Sequence, residues 1–216
     1  STGYLIASFL SSATNKRKDR YGGDAAGRAT FLLEIIERTR ERVGKNYPIS
    51  CRLSVIDGMP GGNTIEDSQI QAKLLEEAGV DAFQCWAGWH EAPTPWMSME
   101  VPRGAWVYLA EAIKKVVSVP VMAVGRINNP ELAEKILQEG KADLICMGRP
   151  LLADPEFVKK TAEGRPEEIR KCIACQRCFE SRFREGPIKC SLNPELGREG
   201  WYILGKKPVK NPKKVL

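Results

Sequence analysis

Val119-Pro-Val-Met-Ala-Val-Gly125-Arg126 and Ala142-Asp-Leu-Ile-Cys-Met-Gly148-Arg149 are the stretches on which the fold turns. Each is a short apolar run of strand length that ends in glycine and arginine. Asn129-Pro130 lies between them, an N-cap followed by an N1 proline, and opens a helix that ends at Gly140. Strand, helix, strand is thus written into thirty residues. Asp154-Pro155 is expected to open one more helix in the same way.

The pattern extends upstream. Asp24 to Val43 places Phe31, Leu32, Ile35, Ile36 and Val43 on one helical face, with Gly44 as the stop. Pro48 to Val55 is an apolar run followed by a glycine-rich loop through Gly62. Thr64-Ile-Glu-Asp67 is a capping box with Asp in place of Glu, and its helix runs to Gly79. Val80 to Trp86 is the next strand, and Ala105 to Val117 an amphipathic helix. Residues 1 to 23 read as an apolar segment running into a polar, turn-rich loop.

Four strands alternating with helices imply right-handed βαβ units and a parallel sheet, hence an α/β fold. Either an open doubly wound sheet or part of an eight-stranded barrel satisfies the pattern. The strand ends favour the barrel. Arg52 ends the first strand, Trp86 to His90 follow the second, and Gly125-Arg126 and Gly148-Arg149 follow the third and fourth. In a TIM (β/α)8 barrel these ends open on the one face that carries the active site, and the last two strands commonly hold a phosphate. Glycine lets backbone approach the anion and arginine grips it in a fork. The expected architecture is the second half of such a barrel, four βα units over residues 1–165.

Cys172-Ile-Ala-Cys175-Gln-Arg-Cys178 with Cys190 is a second motif of different chemistry. A tight C-x2-C-x2-C triplet closed by a distant cysteine is a ligand set for a [4Fe-4S] cluster. Zinc and two disulfides also use four thiols. Residues 166–200 are read as the cluster segment, and 201–216, with five lysines and two prolines, as a linker. Cys51, Cys85 and Cys146 lie in apolar strand-like runs and are assigned no chemistry.

The chain has 216 residues, a formal charge of +6 and 43% hydrophobic residues. That composition suits an ordinary core. The charge is mild and no aromatic residues interleave the basic tail, so no nucleic-acid partner is expected. No eighteen-residue apolar run and no leader-like amino terminus occur, so neither a membrane span nor a signal peptide is expected and the compartment is read as cytoplasmic. His90 is the single histidine, suited to proton transfer at neutral pH.

The combination of Gly3-Tyr4-Leu5, Asn15-x-Arg17-x-Asp19-x-Tyr21-Gly22-Gly23, Arg52-Leu53-Ser54, Gly88-Trp89-His90-Glu91-Ala92, Val101-Pro102-Arg103-Gly104-Ala105, the two Gly-Arg pairs and the four cysteines resembles the Old Yellow Enzyme-type flavin barrels. The likeness is to their iron–sulfur branch, which includes 2,4-dienoyl-CoA reductase, the enoate reductases and trimethylamine dehydrogenase. The resemblance implies FMN at the carboxyl end of the barrel, with Arg52 at the flavin pyrimidine edge and Gly125, Arg126, Gly148 and Arg149 at the phosphate. It implies Tyr4 and His90 as a proton-donating pair. Electrons would come from NAD(P)H through FAD and the cluster to FMN, to reduce the conjugated C=C bond of an enoyl or dienoyl thioester or an enoate. The Gly-Trp-His-Glu-Ala segment favours this over amine oxidation. An electron-transfer module without catalytic flavin is the other alternative. In the family a dinucleotide domain with a glycine-rich fingerprint follows, and no G-x-G-x-x-G occurs here. The expectation is therefore an internal piece of a longer reductase.

Overall fold

Four strands, β1 (Ser50–Ile56), β2 (Ala82–Ala87), β3 (Val121–Ala123) and β4 (Leu144–Ile145), form one parallel sheet in the order β1-β2-β3-β4. The computed structural model describes residues 2–93, 97–184 and 186–200. A doubly wound sheet reverses its strand order at a switch point, whereas an arc of a barrel runs monotonically. The observed order is the barrel's. The chain divides into two compact units, one spanning residues 1–147 and a second beginning at Gly148. The expected linker 201–216 lies outside the described residues.

In the first unit the helices are α1 (Leu5–Leu10), α2 (Ala25–Val43), α3 (Ile65–Glu77), α4 (Val107–Lys114) and α5 (Pro130–Gln138). The sheet shows its period of two plainly. Leu53, Val55, Phe83, Cys85, Val121 and Ala123 are all buried in the core with Leu75, Leu109 and Ile113 of the helices. Each such fully buried Leu, Val, Ile or Phe contributes about 1.5–3 kcal/mol. Alternate positions, Arg52, Gln84 and Met122, are register partners across three strands and share the opposite face. That face is the interior of the barrel.

The helix signals act as the sequence foretells. Asp24 accepts from the Gly27 N–H, and Asn129 from the Leu132 N–H at 3.1 Å ahead of Pro130. Thr64 and Asp67 bond reciprocally, completing the capping box. Strands and helices are shorter than the apolar runs suggest, because Ala105 and Trp106 turn before α4 begins and only Leu144 and Ile145 continue the ladder of β4.

Residues 5–10 depart from expectation, being helical rather than loop. A six-residue helix is not stable alone. Its last carbonyl, on Leu10, accepts from Arg28 Nε at 2.9 Å and from Gln71 Nε2 at 3.1 Å, so buried side chains of α2 and α3 hold it. The turn-rich stretch after it is a knot. Asn15 Nδ2 donates to the carbonyls of Phe9 and Tyr21, Arg17 pairs with Asp19, and a Cβ on Gly22 would lie 2.1 Å from the Arg17 oxygen.

The second unit holds α6 (Arg149–Ala153), α7 (Phe157–Ala162), a short 3-10 turn at Pro166–Glu168 and α8 (Arg177–Ser181). The expected helix start at Asp154-Pro155 is corrected: α7 begins at Phe157, after Glu156. Asp154 is fully buried and its carboxylate is already engaged. It accepts from the Lys160 ammonium at 2.7 Å, the Arg170 N–H at 2.9 Å and the Glu156 N–H at 3.1 Å. Burial by itself would raise its pKa, but those donors outweigh it and hold the carboxyl below the usual range. A depressed folded pKa means the contribution to stability is complete above the ordinary carboxylate value of about 3.9 and lost as pH falls through the lower folded value. Acid denaturation followed by circular dichroism therefore steepens below about pH 4. Asp154→Asn flattens that limb, and an unchanged limb would refute this account.

Candidate active site

Tyr4 and His90, distant in sequence, are brought together in the first unit. Their rings meet edge to face with centroids 5.3 Å apart and an interplanar angle of 85°. Tyr4 is 65% exposed, so its hydroxyl is reachable. Two segments make this meeting possible. Thr2 bridges Trp89 in parallel fashion and donates its N–H to Ser54 Oγ at 3.2 Å, which lays residues 2–4 along the loop after β2. Gly3 has φ +91°, and a Cβ there would lie 2.8 Å from the Trp89 ring. Gly3→Ala is expected to cost roughly 1–3 kcal/mol through overlap and strain. Thermal melting with tryptophan fluorescence checks this, and an unshifted melt would contradict the close approach.

Trp89 is buried, and its indole Nε1–H donates to Asp57 Oδ1 at 2.8 Å. Asp57 directly follows β1, whose register shifts at Ser54–Ile56; such a bulge at a strand end re-aims the next side chains. Its other oxygen accepts from Ser11 Oγ at 2.6 Å and from the Asn63 N–H at 2.7 Å. Sequence reasoning missed Asp57, because an aspartate entering a glycine-rich loop reads as a turn former. Its place immediately after a strand on the active face was the available signal.

The inner face of the sheet carries the second group. Arg52 is exposed, with its guanidinium carbon 4.4 Å above the Trp86 ring. It makes no ion pair or hydrogen bond among the described residues. Partial desolvation draws its pKa down, against the opposing effect of Cys146, yet it remains charged at neutral pH. Gln84 Nε2 donates to Cys146 Sγ at 2.7 Å, and the Trp86 indole N–H is buried without a hydrogen-bond partner among the described residues. Cys51 and Cys85 are inert: burial pushes their thiols up to about 11 and about 12.

Gly125 and Arg126 turn the chain after β3, both with positive φ, +127° and +53°. Gly125 leaves no room for a side chain, since a Cβ would meet Met97 Sδ at 2.9 Å. Arg126 Nη1 donates to the carbonyls of Met99 and Val101, while its buried Nε has no partner among the described residues. Trp86 Nε1 and Arg126 Nε are thus unspent donors in the first unit, and Arg52 an unneutralised cation. These fit an acceptor-rich anionic group such as FMN.

In the second unit Gly148 is the N-cap of α6 and Arg149 its first residue. Arg149 lines one pocket with Cys172, Cys175, Cys178 and Cys190, and its Nη1 is buried without a hydrogen-bond partner among the described residues. The loop bearing the triplet is shaped for sulfur. Ala174 and Gln176 alternate with the cysteines in left-handed conformation, φ +58° and +63°. The Ala174 N–H points at Cys172 Sγ and the Leu192 N–H at Cys190 Sγ, each at 3.4 Å. Ser191 lies 3.4 Å from Cys175 Sγ. Among the described residues no three ligating side chains converge as a single-ion site. Four thiols, backbone N–H groups aimed at two of them and the buried Nη1 of a half-buried arginine fit an anionic iron–sulfur cluster by donor chemistry.

The model of the NADH:flavin oxidoreductase / NADH oxidase family matches residues 1–168. The chain belongs to that family. Within it, the chain is 50% identical over 217 residues to a metal reductase of Desulforamulus reducens, covering 100% of this chain and 32% of that protein. It is 50% identical over 218 residues to an NADH oxidase of Thermoanaerobacter brockii, covering 99% and 33%. A cinnamate reductase of Clostridium sporogenes is 34% identical over 233 residues, covering 99% and 34%. Among solved structures, a 2-naphthoyl-CoA reductase in complex with 2-naphthoyl-CoA matches with a TM-score of 0.88 at 43% identity, over 92% of this chain and 31% of that one. The chain spans about a third of the length of these curated relatives. As a member of this family it has the α/β partial-barrel fold expected from its strand ends.

Proposed function

We propose that this chain supplies the FMN-bearing half-barrel and the [4Fe-4S] segment of a reductase that saturates the conjugated C=C bond of an unsaturated acyl thioester or acid. The observation that carries the reading is the edge-to-face contact of Tyr4 with His90, both of them exposed. A naphthoyl-CoA reductase and a cinnamate reductase among the similar proteins support it. FMN, when bound, supplies a hydride equivalent. The Tyr4 hydroxyl would donate the accompanying proton to the substrate α-carbon, so that the alkene gains H⁻ and H⁺ as its π bond and the tyrosine O–H bond break, and solvent reprotonates the phenolate. His90 stabilises the tyrosine as its proton departs. Arg52, positive and unpaired, favours negative charge on the flavin pyrimidine edge. Gly125, Arg126, Gly148 and Arg149 belong to the same proposal as phosphate contacts, and Cys172, Cys175, Cys178 and Cys190 as cluster ligands.

The FAD and NAD(P)H sites of this reading lie outside these 216 residues, and the reading places the protein in the cytoplasm with a small-molecule substrate. No helix among the described residues is long and apolar enough to cross a membrane. The identity to a metal reductase and an NADH oxidase favours a second reading, delivery of electrons to an inorganic acceptor. An anaerobic ultraviolet–visible titration of the full-length protein separates them. Flavin bands over broad iron–sulfur absorption, reduced by NAD(P)H and reoxidised by an enoyl-CoA, support the proposal. Reoxidation by ferric ion or oxygen but not by the thioester overturns it.

A further inference from the structure

We propose that Asp57 is a positioning residue that holds Tyr4 and His90 together as one proton-delivering pair, acting through Trp89 and Ser11. The inference rests on the proton-donating role proposed for that pair. Its basis is the convergence of both segments on one carboxylate. Trp89, next to His90, donates to Oδ1 at 2.8 Å. Ser11 closes the helix whose N-cap is Tyr4, and it donates to Oδ2 at 2.6 Å. Asn63 fixes the carboxylate from the third side through its N–H at 2.7 Å.

The carboxylate is 2% exposed and makes no ion pair among the described residues. Three neutral donors hold it from three segments, an arrangement that defines direction rather than neutralising charge. Trp89 transmits the hold in two ways. Its indole edge is bonded to Asp57, and its ring face presses on Gly3, with Ala7 and Ala92 in the same small apolar cluster. Rotation of the indole would therefore displace Tyr4 and His90 together. Asn63 is itself braced, its amide meeting Gln71 at 3.2 Å and Arg28 at 3.1 Å. Asp57 consequently stands on α2 and α3 rather than on the loops it organises.

The test uses the full-length flavin-loaded protein and the variants Asp57→Asn, Trp89→Phe and Ser11→Ala, with crotonyl-CoA as probe. Oxidation of the dithionite-reduced protein by crotonyl-CoA is expected to slow about 10- to 100-fold in Asp57→Asn and Trp89→Phe, the scale of a misplacement of about 1 Å. Its solvent deuterium isotope effect is expected to rise, while the rate of reduction by NAD(P)H stays unchanged. The His90 imidazole resonance, assigned by its loss in His90→Gln, is expected to move in both variants. Equal slowing of both half-reactions, or an unaltered isotope effect with the resonance in place, overturns the proposal. Should the wild type fail to reduce crotonyl-CoA, the functional reading fails, and the resonance alone decides the positioning role. An unmoved resonance in Asp57→Asn then refutes it. Ser11→Ala, which removes one donor without touching Trp89, keeps the test open if Trp89→Phe does not fold.

Discussion

Tyr4→Phe is expected to slow reduction of an enoyl-CoA by about 10²–10⁴-fold, the range supplied by a positioned general acid. The substitution removes one oxygen and leaves the ring, so the edge-to-face contact with His90 at 5.3 Å survives. Because Tyr4 is 65% exposed, its loss leaves no buried group unsatisfied and the melting temperature should hold. The variant also discriminates between the two readings of the family likeness. Carbon–carbon reduction needs a proton on carbon, whereas ferric ion or oxygen takes electrons without Tyr4. Stopped-flow reoxidation of the reduced protein by each acceptor gives the result. A rate with enoyl-CoA within a few-fold of wild type would remove Tyr4 from the mechanism.

Cys190→Ala is the second large effect. If the four thiols share a [4Fe-4S] cluster, loss of the remote ligand opens one corner, and iron and sulfide in the anaerobically purified protein should fall far below the wild-type complement. The broad visible absorption should fade with them. A bound cluster also contributes to folding, because a preformed site does not exist in the unfolded chain. The loop has a reason to need that help: Ala174 and Gln176, neither of them glycine, are held in left-handed conformation, at about 1–3 kcal/mol each. The second unit should therefore become susceptible to proteolysis in Cys190→Ala. Cys51→Ala, a change at a thiol that burial keeps protonated, is the control and should retain its iron. Full iron retention in Cys190→Ala would exclude Cys190 as a ligand, and stoichiometric zinc in the wild type would replace the cluster by a zinc site.

Much of this arrangement was legible in the residues because it depends on local rules. The apolar runs ending in Gly125-Arg126 and Gly148-Arg149 announced strands opening on one face, and Thr64 and Asn129 announced helix starts through capping. The resemblance paired Tyr4 with His90. The features that were not legible depend on long-range partners. Asp154 looked like an N-cap, but Lys160 and the Arg170 N–H claim its carboxylate from six and sixteen residues away. Residues 5–10 looked like loop because their helix is held by Arg28 and Gln71 reaching the Leu10 carbonyl. Asp57 looked like turn chemistry, since the indole that gives it meaning lies 32 residues on. Arg149 was read only as a phosphate ligand, and nothing in its spacing told that it lines the pocket of the four cysteines.

The support of the Leu10 carbonyl by Arg28 and Gln71 also bears on the order in which the first unit assembles. The short helix that begins beside Tyr4 has no stability of its own, and its latest-made support comes from a residue 61 positions further along the chain. The Asp57–Trp89 bond must wait longer, until β2 has docked and the loop after it has closed. Pulsed hydrogen exchange during refolding should find the amides of β1 and α3 protected before those of residues 7–11.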